Sequence, residues 1–174
     1  MDEHGRDAFR AYVVARSAGL LRTAYLLTGN RADAEDLLQT TLAKTYLSWD
    51  RIRDREAVDG YVRRVMVNTQ TSFWRRRRPE ALYDEPPDVP GRDSTADADL
   101  HDALWTALSR LPRKQRAAVV LRYYEDLPEA EVAAVLGVSV GTVKSTTSRA
   151  LARLRDDDSL RDDPRAALPD GVPA

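Results

Sequence analysis

The sequence predicts an all-α protein: two small helical domains joined by an acidic flexible linker, the second domain containing a helix-turn-helix. Three observations lead to this prediction. Apolar residues recur every three or four positions through both main blocks of the chain. Alternating apolar and polar runs, which would indicate strands, are lacking. A stretch rich in proline, aspartate and small polar residues separates the two blocks.

The first block, predicted as a domain over residues 5–78, contains three helices. The apolar stripe of the first helix ends at Gly29 and Asn30, which tolerate a left-handed backbone; it comprises Phe9, Val13, Leu20, Leu21, Ala24 and Leu27. A second helix is predicted from about Ala32 to Trp49. The third carries apolar residues from Val58 onward and stops at Pro79, because proline cannot continue a helix.

The second block, residues 100–155, is predicted to form four short helices. Leucines at every third or fourth position from Leu100 define the first, which ends before Pro112, and a second apolar face ends before Pro128. The last two helices are Glu129–Leu136 and Val140–Arg155. A short turn containing Gly137 joins them, and Ser139 is a suitable N-cap. Two helices joined in this way are typical of a helix-turn-helix, whose second helix enters the major groove.

The last helix is amphipathic, and its outward face is polar and basic. At 100° per residue, the inward side comprises Val140, Val143, Thr147, Leu151 and Leu154. The opposite side comprises Thr142, Ser145, Arg149 and Arg153, with Lys144 at the flank. Short polar groups near a helix N-terminus and arginines beyond it suit contact with base edges and phosphates. The alternative is an ordinary solvated helix face.

Charge alternates along the chain, although the formal net charge is only −1. Residues 51–78 contain nine basic and three acidic side chains, and residues 103–155 contain nine and four. The intervening residues 79–102 have one basic and eight acidic side chains, and residues 156–174 have two and six. The basic blocks favour nucleic-acid binding. The segments 79–99 and 156–174 are predicted to be a linker and an acidic disordered tail.

Composition excludes several classes of function. The chain has no cysteine and two histidines, so neither a thiolate site nor a multi-histidine metal site can form. We find no nucleophile and base at recognisable spacing and no glycine-rich phosphate loop, so we predict no enzyme activity, no cofactor and no metal. The sequence shows neither an apolar run of membrane-spanning length nor a signal peptide, so no membrane association and a cytoplasmic location are expected.

The third helix of the first block places aromatic, amide and basic side chains on one face. The set, spaced by three and four residues, is Tyr61, Arg64, Asn68, Thr71 and Arg75. A ring can stack on an unpaired base while arginines hold phosphates, so this combination fits single-stranded DNA. The alternative is a solvated basic helix whose aromatic rings belong to the core.

The second helix begins with several carboxylates followed by other polar groups. The helix dipole favours acids in the first turn, which is a structural explanation. The strip of Glu35, Asp36, Gln39 and Thr40 also fits a protein-docking surface. Composition alone leaves both explanations open.

Taken together, these segments resemble the extracytoplasmic-function, or group-four, sigma factors of bacterial RNA polymerase. The resemblance covers about residues 7–77 and 100–155 and rests on DAEDLLQ, YVRRVMVNTQTSFWRRRR and the final helix-turn-helix, in that order. The stretch GTVKSTTSRALARLR further resembles the actinobacterial SigE-type subfamily. The resemblance implies a factor that directs core RNA polymerase to promoters and assists promoter opening. Its partners would be the polymerase, promoter DNA in duplex and single-stranded form, and an anti-sigma factor as a further candidate.

The resemblance also implies roles for individual residues. The polymerase clamp helices would be bound by Glu35, Asp36, Gln39 and Thr40. The minus-ten element would be bound by Ile52, Tyr61, Arg63, Arg64, Asn68, Arg75 and Arg76, with the segment 52–58 capturing a flipped base. The minus-thirty-five element would be read by Ser139, Thr142, Lys144, Ser145, Ser148, Arg149 and Arg153. The alternative function is a free-standing helix-turn-helix regulator that acts without polymerase.

Overall fold

The computed structural model describes residues 2–52, 57–77 and 104–156, and all regular structure within these ranges is helical. In the first part, α1 spans Glu3–Thr28, α2 spans Arg31–Ser48 and α3 spans Val58–Arg77. A single 3₁₀ turn, Trp49–Arg51, follows α2. We call α1 to α3 the first helical unit. The all-α prediction is confirmed, and the helix boundaries lie within two residues of those expected.

The second helical unit comprises α4 to α7. Its helices are α4 over residues 104–109, α5 over Arg113–Val119, α6 over Glu129–Leu136 and α7 over Val140–Arg155. A π-helical turn, Val120–Tyr124, continues α5. The predicted linker 79–99 lies outside the described residues, as does the predicted tail beyond Asp156.

Side-chain and glycine caps set the helix ends that the sequence predicts. Gly29 adopts a left-handed conformation (φ 89°) and ends α1, and the Asn30 side chain then accepts a hydrogen bond from the Asp33 amide at 2.8 Å. Gly137 ends α6 in the same way (φ 66°). The Ser139 hydroxyl accepts from the Thr142 amide at 3.1 Å, so the predicted N-cap of α7 is confirmed.

The first helical unit buries the apolar stripes of its three helices against one another. Its fully buried side chains include Leu26, Leu27, Leu37, Val62 and Met66. Near the start of α1, the Phe9 ring lies edge-on to Tyr46 and Trp49, with centroid distances of 5.2 and 5.0 Å. These aromatic contacts extend the packing of α1 on α2 beyond the central core.

The second helical unit packs α7 against α5 and α6, and one predicted detail is wrong. Val143, Thr147 and Ala150 form the buried side of α7, while Leu151 and Leu154 are half-buried. Val140, predicted to face inward, is 39% exposed. It occupies the first helical position of α7, directly after the turn. Ala150, omitted from the predicted stripe, is fully buried because its small side chain permits close approach.

The two helical units pack against each other. Helix α3 contacts α6, and α1 contacts both α5 and the π-helical turn. Trp105 of α4 is 2% exposed and lies against Gly29, where an added Cβ atom would come within 1.9 Å of the indole ring. The glycine therefore serves two purposes: it permits the left-handed cap of α1, and it leaves room for a tryptophan from the second unit.

Candidate nucleic-acid and polymerase interfaces

The outward face of α7 presents every side chain that we predicted to read duplex DNA. All seven are exposed: Ser139, Thr142, Lys144, Ser145, Ser148, Arg149 and Arg153. The Ser139 hydroxyl lies 2.8 Å from that of Thr142, so two hydroxyls cluster at the helix N-terminus. Backbone N–H groups at such an end favour a phosphate oxygen, while hydroxyls can bond to phosphate or to base edges.

Two basic side chains on this face are held by neighbouring groups. The Arg149 guanidinium donates from Nε to the Ser145 carbonyl at 3.1 Å and from Nη2 to the Ser145 hydroxyl at 3.3 Å. The Lys144 ammonium lies 3.6 Å from a carboxylate oxygen of Glu129 on α6. Both cations remain exposed, so DNA phosphates can compete with these weak surface contacts.

The face of α3 predicted to bind single-stranded DNA is present over the part whose side chains are described. Arg64, Asn68 and Thr71 are exposed, and Tyr61 is half-buried at the same side. Ile52 is half-buried and packs against the core cluster. The predicted base-capturing segment lies partly outside the described residues, at 53–56, as do the side chains of Arg75 and Arg76.

Arg63 points away from this face, because its guanidinium pairs with a carboxylate of the second helical unit. Its Nη2 atom lies 2.7 Å from Glu125 Oε2, and its Nε donates to the same oxygen at 2.8 Å. The Arg63 side chain is only 12% exposed. The structure therefore brings together Tyr61, Arg64 and Asn68 but directs Arg63 toward the other unit.

The polar strip of α2 lies on the surface of the first helical unit. Asp36 and Gln39 are exposed, and Thr40 is half-buried. Glu35 accepts a hydrogen bond from Arg31 Nε at 2.8 Å, which is a helix surface pair worth a few tenths of a kcal/mol. Asp36, Gln39 and Thr40 make no side-chain pair of this kind among the described contacts. All three lie on the outer side of α2.

This strip continues into an apolar surface that the sequence interpretation missed. An open groove between α1 and α2 is lined by Phe9, Val13, Leu42, Ala43, Tyr46 and Leu47. Leu47 is 80% exposed and Tyr46 is 42% exposed. Asp36, Thr40, Ala43 and Leu47 follow one another at intervals of four, three and four residues, so they lie on one face of α2. This periodicity is the sequence signal that indicates the apolar surface.

A half-buried tyrosine, Tyr12, links α1 to α3. The Tyr12 hydroxyl donates to Asp59 Oδ1 at 2.8 Å, and Arg16 pairs with the other carboxylate oxygen at 2.5 Å. Burial, followed by the hydrogen bond to Asp59, raises the pKa of Tyr12 well above its ordinary value. The tyrosine consequently stays neutral and remains a donor throughout the physiological range.

The described ranges hold neither a metal-binding cluster nor a membrane-spanning helix. Residues 2–52, 57–77 and 104–156 contain no group of three histidine, cysteine, aspartate or glutamate side chains placed to hold a metal ion. No helix in that part of the chain combines the length and apolar character needed to span a bilayer.

A helix-turn-helix whose second helix has an exposed polar and basic face is the arrangement of a DNA-binding protein. The model of Sigma-70 region 2 matches residues 13–80, and that of Sigma-70, region 4 matches residues 101–154. This chain belongs to the extracytoplasmic-function family of RNA polymerase sigma factors, as its resemblance predicts.

Individual relatives agree with this assignment. The RNA polymerase sigma-E factor of Streptomyces coelicolor is 48% identical over 155 residues, covering 88% of each chain. The ECF RNA polymerase sigma factor SigM of Mycobacterium tuberculosis is 36% identical over 135 residues, covering 78% of this chain and 69% of the relative. Among solved structures, the sigma factor RpoE in complex with the anti-sigma factor NepR from Bartonella quintana is 25% identical. That likeness has a TM-score of 0.69 and covers 90% of this chain and 98% of RpoE.

Proposed function

We propose that this sigma factor divides promoter recognition and polymerase binding among three separate surfaces of its two helical units. As a member of its family it directs core RNA polymerase to promoters. The observation that carries the division is spatial: the outward face of α7, the Tyr61–Asn68 face of α3 and the polar strip of α2 lie on different helices. The corresponding functional domains are residues 5–78 and 100–155.

The outward face of α7 reads the minus-thirty-five element as duplex DNA. Its exposed hydroxyls lie at the helix N-terminus, and Arg149 and Arg153 lie one and two turns further along the same face. This order suits a helix that enters the major groove with its N-terminal residues nearest the base edges. The exposed Lys144 suits a phosphate contact at the flank.

The α3 face binds the minus-ten element after its strands separate. A half-buried ring, Tyr61, provides a fixed stacking surface, and Asn68 offers an amide to the edge of an unpaired base. Arg64 and the basic end of α3 contact the phosphate backbone, and the segment beginning at Ile52 receives the flipped base. Unstacking a base costs a few kcal/mol, which such contacts offset.

The polar strip of α2 binds the clamp helices of the polymerase. Its exposed carboxylate and amide, Asp36 and Gln39, provide directional polar contacts. The adjacent groove adds exposed apolar surface, whose burial in an interface is favourable. Polar contacts beside exposed apolar surface are typical of protein interfaces. This support comes from exposure and continuity of the surface, in addition to the family resemblance.

The proposed role also includes a cellular location and a regulatory partner. The protein acts in the cytoplasm and performs no catalysis of its own, and its role is binding and positioning. An anti-sigma factor is a candidate partner, because the similar RpoE structure is a complex with one.

A reconstituted transcription assay tests the proposal. Purified protein is added to core RNA polymerase with a promoter library, and the transcript start sites are sequenced. We expect defined initiation that depends on the protein. Protein that binds promoter fragments but does not bind core polymerase, with no inhibitor present, would instead identify a free-standing regulator.

A further inference from the structure

A lysine of α2, Lys44, bonds across to α3. Its ammonium donates to Thr69 Oγ1 at 2.9 Å. Thr69 is buried where α3 packs on α2, whereas Lys44 is exposed. The hydrogen bond therefore holds the charged end of a flexible four-carbon side chain at the seam between the two helices. The sequence interpretation assigned this lysine to no surface.

This seam borders the α3 face proposed to bind the unpaired minus-ten strand. At about 100° per residue, Tyr61 and Asn68 point in nearly the same direction from α3. Thr69 is displaced from that direction one way around the helix, and Arg64 is displaced the other way. Lys44, which is held at Thr69, therefore lies along one edge of the Tyr61–Asn68 face, and Arg64 lies along the opposite edge.

The charges at both edges of this face are uncompensated. Several other cations of the protein pair with carboxylates: Arg16 with Asp59, Arg63 with Glu125 and Lys144 with Glu129. Within residues 2–52, 57–77 and 104–156, neither Lys44 nor Arg64 forms an ion pair. Lys44 bonds instead to a neutral hydroxyl, which positions the ammonium without neutralising it. Two such cations beside an aromatic ring and an amide attract a polyanion to that face.

The position of Lys44 around α2 separates it from the residues proposed to bind polymerase. Around that helix, Lys44 lies between Leu37 of the buried stripe and Thr40 of the polar strip. Asp36 and Gln39 lie beyond Thr40, further from the buried stripe. Lys44 is turned toward α3, to which it bonds. DNA on α3 and polymerase on α2 can therefore occupy neighbouring surfaces, with Lys44 on the DNA side.

We propose that Lys44 is a DNA-contacting residue of α2, whose ammonium donates to a phosphate oxygen of the unpaired minus-ten strand. The inference rests on the proposed role of α3 in single-strand binding. An ammonium has three N–H donors, and Thr69 accepts one of them. The other donors meet the phosphate, while Arg64 holds the backbone at the opposite edge of the face. A phosphate contact of this kind sets the register of the strand and carries no sequence information.

Three substitutions separate the charge of Lys44 from its position. Lys44→Gln removes the charge, and Lys44→Arg keeps it. Thr69→Val keeps the charge and the shape of the core but removes the hydroxyl that holds the ammonium. Lys114→Gln is the matched control, because it makes the same charge change at an exposed position of α5 outside the proposed surfaces. Thermal melts establish that each variant is folded.

The measurement uses holoenzyme assembled from core polymerase and each full-length variant. The probe is a fluorescein-labelled promoter from the transcription assay, with its minus-ten bases left unpaired, and anisotropy is read at several salt concentrations. Lys44→Gln should weaken binding about tenfold at low salt, the lower range for a hydrogen bond to a charged group. The slope of log affinity against log salt concentration should decrease by about 0.7, the value for one single-strand phosphate. The loss should be equal on a probe with an altered minus-ten sequence.

The other variants have distinct expected results. Lys44→Arg should retain most of the affinity, Thr69→Val should lose affinity without a change of slope, and Lys114→Gln should match the unchanged protein.

Arg64→Gln separates a failure of this inference from a failure of the proposed function. If Arg64→Gln lowers affinity and slope while Lys44→Gln changes neither, the inference is overturned and the proposed role of α3 stands. If neither substitution changes binding to the unpaired probe, both are overturned. Affinity for core polymerase is measured without DNA and should be the same for Lys44→Gln and the unchanged protein. An equal loss in that assay would assign Lys44 to the polymerase surface and overturn the inference.

Discussion

The guanidinium of Arg116 lies 4.6 Å from the ring centroid of Trp105, and both side chains are almost fully buried. The same guanidinium donates to the carbonyls of Leu108, Ser109 and Leu111 at 2.9 to 3.2 Å, in addition to Leu27. A buried cation is tolerated because its donors are used and an aromatic face covers it. Arg116 therefore organises the turn between α4 and α5.

Substitution Arg116→Lys is expected to lower the free energy of unfolding by about 1–3 kcal/mol. Lysine keeps the charge but lacks the planar fork that reaches several carbonyls at once. Urea denaturation followed by circular dichroism measures the change. Arg122→Lys, at a partly exposed position of the same segment, is the control and should change stability by less than about 0.5 kcal/mol.

Three glycines separate backbone strain from steric conflict. Gly19→Ala, in the middle of α1 with open space around it, is expected to stabilise the protein by about 0.5–1 kcal/mol. Gly137→Ala also meets open space but has φ 66°, so we expect a loss of about 1 kcal/mol. Gly29→Ala combines positive φ with the clash against Trp105 and should cost most. Equal losses of unfolding free energy at Gly29 and Gly137 would show that the Trp105 side chain moves aside without cost.

Tyr12→Phe is expected to remove one pH dependence of stability. The raised pKa means that the folded state holds the phenolic proton more tightly than the unfolded state, whose tyrosine titrates near pH 10. This contribution is fully present below about pH 10 and is lost as the pH rises above it. Thermal melts from pH 8 to pH 11 should show a steeper decline for the unchanged protein than for Tyr12→Phe. Parallel curves would contradict the assignment.

Arg149→Ala is expected to weaken binding to a minus-thirty-five duplex while leaving core polymerase binding intact. If the guanidinium contacts a base, the loss of binding free energy is about 1–3 kcal/mol and discrimination at that base pair falls. If it contacts a phosphate, the slope of log affinity against log salt concentration decreases by about one. Fluorescence anisotropy at several salt concentrations distinguishes the two. Arg155→Ala, on the same helix outside the predicted set, should have the smaller effect.

The double substitution Asp36→Ala with Gln39→Ala is expected to have the reverse effect. Losing two exposed polar groups should weaken core polymerase binding at least about tenfold, since hydrogen bonds to charged groups are worth about 1.5–3 kcal/mol. Duplex binding by α7 should be unchanged. Asp7→Ala, an exposed acid of α1 outside the strip, controls for net charge. Similar losses in both assays would mean that the two surfaces are not separate.

Local sequence patterns predict most of the helices because caps and apolar periodicity are local properties. Gly29, Asn30 and Ser139 end or begin helices where their backbone and side-chain chemistry requires. Val140 is 39% exposed although it lies on the apolar stripe of α7, because periodicity reports direction around a helix and not the depth of burial at its end. The π-helical turn after Val119 was missed because its residues fit an ordinary α-helix equally well.

The sequence predicts which candidate site residues are exposed, but it does not predict which of them pair with charges elsewhere in the chain. The exposure of the polar face of α7 is confirmed, because a polar face opposite a buried stripe must meet water. Arg63 and Glu125 are 62 residues apart, and each appears in sequence as an ordinary surface charge. Likewise Arg116 was counted as part of a basic block although it is 4% exposed. Pairings between distant charges depend on tertiary packing, which neither periodicity nor composition reports.

The Leu27 carbonyl has one hydrogen-bond donor from its own unit and one from the other. This carbonyl therefore keeps a donor if either contact is lost, and Arg116 has three further carbonyls in its own unit. Double coverage of the end of α1 protects the helix from leaving a buried carbonyl unpaired, which would cost about 1–3 kcal/mol.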